Sequence, residues 1–68
     1  MTATEKRLRA AIVAALRRKS REDRAQGDRL AYTGSYVAAA LHRERSLESA
    51  AIADAIESGW PKTPKVKR

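Results

Sequence analysis

The residue types that most often carry chemistry are sparse in this chain. His42 is the only histidine and cysteine is absent, so neither a thiolate site nor a paired-imidazole metal site can be assembled. Arg43 and Arg45 flank His42 closely and further oppose a cation there. As a general base, His42 would need a nucleophile and an orienting acid. Ser35, Ser46 and Asp54 are available, but their spacing singles out no partner for it. Gly27, Gly34 and Gly59 stand alone, so no glycine-rich loop can cradle a phosphate. These residues point to a protein without catalysis, cofactor or metal.

What does recur with a period is arginine. Placed 100° apart on a helix, Arg17, Arg18, Arg21 and Arg24 gather on one side together with Lys6 and Arg7, roughly opposite Leu8, Ile12, Ala15 and Leu16. A row of guanidinium groups binds a phosphate backbone by releasing condensed counterions. Lys62, Lys65, Lys67 and Arg68 form a second basic element at the C-terminus, where no acid interrupts them.

The charge is divided along the chain. Lys and Arg number 15 against 8 Asp and Glu, for a net +7. Residues 46–60 contain no base and three acids, Glu48, Asp54 and Glu57. A basic helix and a basic tail thus flank an acidic stretch, and duplex DNA is the expected partner. The competing explanation is a solvated helix surface, because Arg18 with Glu22 and Lys19 with Asp23 have the i, i+4 spacing of local ion pairs. A membrane is disfavoured: no apolar run approaches 18 residues, and the face opposite the arginines offers no Trp or Phe for insertion.

The elements that must hold these side chains read as helices. Thr2 and Glu5 have capping-box spacing, with Thr4 as a second possible cap. Leu8, Ala11, Ile12, Ala15 and Leu16 then recur at helical intervals. This predicts a long first helix over about 4–26, stopped by Gly27, with Asp28 starting the next element. In the middle segment Leu30, Gly34, Val37 and Leu41 fit a helical face, while Arg29–Thr33 also reads as a short strand. The break is expected near Gly34, with a helix over 35–45. Ser46 reads as the cap of a last helix over 46–58, whose buried stripe would be Leu47, Ala51, Ile52, Ala55 and Ile56. The tail after Trp60 is too basic and proline-broken to fold alone.

Ser35-Tyr36-Val37-Ala38-Ala39-Ala40-Leu41 resembles the opening of the second helix in some ribbon-helix-helix antitoxins, which are small dimeric repressors. That resemblance implies a strand that presents Arg29, Ala31 and Thr33 to DNA. It covers seven residues, and in that family the strand precedes the first helix of the pair, whereas here a long helix comes first. The resemblance is therefore not adopted. A helix-turn-helix over 50–68 would place Pro61 and Pro64 inside its recognition helix, which argues against it.

The supply of core is small, since 14 residues are alanine and phenylalanine is absent. Chains with so little core are often completed by a partner. The expected structure is an all-α domain of three helices over residues 1–60, followed by a disordered basic tail over 61–68. It is expected to be a homodimer through Leu8, Ile12 and Leu16. Trp60 either closes the core or anchors a partner, and Tyr32 and Tyr36 are assigned to core or interface. The expected role is that of a cytoplasmic, non-enzymatic DNA-binding regulator or accessory factor, of a kind suited to a GC-rich bacterium or its phage. The competing class is a protein-binding adaptor or inhibitor that uses Glu57 and Trp60.

Overall fold

The Thr2 hydroxyl accepts a hydrogen bond from the Glu5 backbone N–H at 3.1 Å, satisfying one of the free donors at a helix start. From that cap, in a computed structural model that describes residues 2–60, helix α1 runs over Ala3–Tyr32. Helix α2 runs over Tyr36–Glu57 and returns antiparallel to it. Two helices therefore replace the three expected, and residues 29–33 are helical, which removes the strand reading. The predicted tail and its Lys62, Lys65, Lys67 and Arg68 lie outside the described residues. No described helix is long and apolar enough to cross a membrane.

The turn at residues 33–35 follows from local chemistry. Gly34 has φ +86°, a left-handed conformation that glycine adopts without steric cost. Its N–H donates to the Ala31 carbonyl at 3.1 Å, and the Ser35 N–H reaches back to the Leu30 carbonyl at 2.8 Å. This is the paired capping pattern that terminates helices at glycine. The same two bonds recur at the end of α2, from Gly59 to Ile56 and from Trp60 to Ala55.

Both other expected breaks are absent because tertiary packing overrides local propensity. Gly27 does not end α1; it is buried inside it. A Cβ built there would lie 3.1 Å from the Ala39 carbonyl oxygen and 3.2 Å from the Arg43 side chain. Glycine at this position lets the two backbones approach. Ser46 is not a cap but a buried residue within α2, where it meets Ser20 of α1.

The contact between helices follows steps of four and three residues. On α1 the covered positions include Arg9, Val13, Leu16, Ser20, Asp23, Gly27 and Leu30; on α2 they include Ala39, His42, Ser46, Ser49, Ala53 and Ile56. This is the seam periodicity of a coiled coil, but most of its positions are small or polar. Among the described residues only Ala39 and Ala53 form the fully buried apolar core, and no large side chain is completely enclosed. The stripe expected on α2 is thus rotated: Leu47 and Ile52 are exposed, while Ala39, Ser46 and Ala53 are buried.

Candidate functional site

The seam divides the hairpin into two faces, each built from both helices. One carries Arg7, Arg17, Arg21 and Arg24 of α1 beside Arg43, Leu47, Asp54 and Glu57 of α2. The other carries Leu8, Ile12, Ala15, Lys19 and Glu22 of α1 beside Leu41, Arg45, Glu48, Ile52 and Ala55 of α2. These placements follow from helical geometry once the seam positions are known. The two are the basic face and the aliphatic face below.

On the basic face the four arginines singled out by sequence have different surroundings. Arg17 is engaged by α2: its guanidinium donates to Glu57 Oε1 at 2.6 Å and to Asp54 Oδ1 at 2.9 Å. The hydrogen bond to Glu57, then that to Asp54, pushes its pKa above the ordinary arginine value. Two carboxylates thus compete with any phosphate for Arg17. Arg18 lies at the outer edge of α1 and Arg21 and Arg24 on the face itself, and none of the three has a carboxylate within ion-pair distance among the described residues. Arg24 and Arg43 line an open cleft of about 430 Å³ with Asp28, Ser46 and Leu47. Arg43 is drawn to Asp28 across 3.4 Å.

The aliphatic face holds the expected interface residues. Leu8 is 60% exposed, Ile12 42% and Trp60 55%, while Leu16 is half-buried against the seam. Trp60 does not close a core. It lines an open cleft of about 350 Å³ with Glu5, Leu8, Arg9, Ile12 and Ile56, and its carbonyl accepts a hydrogen bond from Arg9 at 2.8 Å. Tyr32 and Tyr36, expected in core or interface, stand exposed beside the turn.

Sequence reasoning missed the polar core of the seam. Asp23 is buried, and its Oδ1 lies 3.1 Å from His42 Nδ1. Lys19 Nζ stands 3.6 Å from the other carboxylate oxygen, which has no hydrogen-bond partner. The bond to His42 holds the Asp23 carboxyl below its ordinary pKa; burial opposes this and Lys19 adds to it. One turn away, the Ser20 hydroxyl donates to the Ser46 carbonyl at 2.8 Å and meets the Ser46 hydroxyl at 3.0 Å. The Asp–His pair orients an imidazole as hydrolases do, yet no described hydroxyl bonds to His42. Within this hairpin the pair acts on register, by matching one level of α1 to one level of α2. Its signals in the sequence were Asp23 and Lys19, which continue the stripe of Leu16 in polar form, and the lone histidine, 19 residues from Asp23.

No protein-family model matches the chain, and no curated protein or solved structure is detectably similar to it.

Proposed function

We propose that the chain is a small, non-enzymatic DNA-binding accessory or regulatory protein that meets phosphates through the basic face of α1. The observation that carries this reading is the freedom of Arg18, Arg21 and Arg24 from described carboxylates, although Asp28, Asp54 and Glu57 occupy the same side of the hairpin. These three span only two turns, so their positive field is concentrated, and phosphate oxygens offer guanidinium groups the bidentate geometry they favour. Arg17 is assigned a structural role. The basic residues at 62, 65, 67 and 68 extend the same attraction. An adaptor acting through Glu57 fits less well, because Arg17 already holds that carboxylate.

The test is a salt titration of binding to a mixed-sequence duplex. Three engaged arginines give a log–log slope of about −3, and the four C-terminal bases steepen it toward about −6. Replacing Arg18, Arg21 and Arg24 together by Glu is expected to abolish binding with helical circular dichroism unchanged, whereas Arg17→Ala is expected to leave the slope unaltered. Absence of duplex binding at low salt would overturn the proposal.

A further inference from the structure

The two antiparallel helices form a slab one helix thick. Domains commonly bury their apolar faces between two layers; the hairpin is one layer, which a second could cover. The large aliphatic side chains that would line it are present but exposed, among them Leu8, Ile12 and Ile52. We infer that a second copy of this chain supplies that layer, aliphatic face against aliphatic face, to give an antiparallel four-helix bundle. This inference is independent of the phosphate reading.

Charge decides both the face and the occupant. An isologous interface sets a surface against itself, so a surface with net charge repels its own copy. The basic face has an excess of arginine. The aliphatic face bears Glu5, Glu22 and Glu48 against Arg9, Lys19 and Arg45, and is neutral.

The arrangement of these charges is also self-complementary. Ser20 stands opposite Ser46 and Asp23 opposite His42, so Lys19 is within one or two residues of the level of Glu48, and Glu22 within one or two of that of Arg45. A two-fold axis along the length of the slab lays α1 of one copy over α2 of the other while preserving levels. Lys19 then faces Glu48 of the second copy, and Glu22 faces its Arg45. Ile12 and Leu8 settle over the Ile52 and Ile56 levels. All neighbouring helices run antiparallel, and both basic faces remain outside. With α1 about 45 Å long and two packed helices about 20 Å across, the face is of the order of the roughly 800 Å² per partner that a stable dimer buries.

The full chain, without nucleic acid, is tested by sedimentation equilibrium. The expected mass is about 15 kDa, twice the 7.5 kDa of the chain. Glu22→Arg and Arg45→Glu each place like charges across the interface, and each is expected to weaken association roughly ten-fold. Mixing the two variants in equal amounts restores opposite charges at both contacts and is expected to recover the dimer, a rescue that no contact within one chain can produce. Circular dichroism confirms that each variant keeps its helices. A fully helical monomer at about 100 µM overturns the inference, whether or not it binds another protein through Leu8 and Trp60. A mixture no more associated than its components also overturns it. Duplex binding is scored separately, so either proposal can fail alone.

Discussion

The two halves of the hairpin are held by different means. Near the turn, the helices meet through Gly27 against Ala39, Asp23 against His42, and Ser20 against Ser46. Toward the open end, Val13, Leu16 and Ile56 supply larger apolar contacts, and Arg17 reaches across to Asp54 and Glu57. The turn half has close backbone approach and directional bonds, which permit one register and add little apolar burial. The open half has aliphatic side chains that tolerate several arrangements, and these leave apolar surface uncovered. Specificity and adhesiveness are thus separated along the length of one small molecule. Polar residues in a coiled-coil seam generally fix register at a cost in stability.

This contrast is tested most severely at Gly27. Gly27→Leu would push a side chain into the Ala39 carbonyl and the stem of Arg43. Since backbone must then move, a loss of about 1–3 kcal/mol is expected, measured by urea unfolding. An equivalent enlargement at exposed Ala14, in the open half, should change little.

Acid sharpens the same contrast. Asp23 titrates below its ordinary value of 3.8 because His42 bonds to its charged form. Its contribution is therefore present above the unfolded-state pKa and is lost as pH falls through the lower, folded-state value. Unfolding midpoints measured from about pH 6 down to about pH 2 should drop along that limb. In Asp23→Asn that part of the pH dependence should vanish, while at neutral pH the variant starts less stable than the parent.

The smallest effect is expected at Ser20. Ser20→Ala removes the hydroxyl that serves both the Ser46 carbonyl and the Ser46 side chain, at a cost on the order of 1 kcal/mol. An unchanged midpoint would show that the turn half does not rely on this level.

Local chemistry was legible in the sequence and distant pairing was not. The Thr2 cap and the break at Gly34–Ser35 depend on neighbouring residues, and both are where spacing puts them. Gly27 and Ser46 read as helix ends because glycine and serine usually mark them. Each instead serves the opposite helix, which no local pattern reveals. The apolar period misled for a related reason. Leu8, Ile12, Leu47 and Ile52 are the conspicuous aliphatics, but the buried seam is written in alanine, serine, glycine, aspartate and histidine. The basic row was visible from its period, whereas the carboxylates that occupy Arg17 lie 37 and 40 residues further on.

Trp60 gives the molecule a built-in reporter. It is the sole indole, it is 55% exposed, and it lies in the cleft beside Leu8 and Ile12, while both tyrosines sit at the far pole. Its emission colour therefore registers whether water or protein lies over that pole, so an unlabelled dilution series can follow the covering and uncovering of this surface in a cuvette.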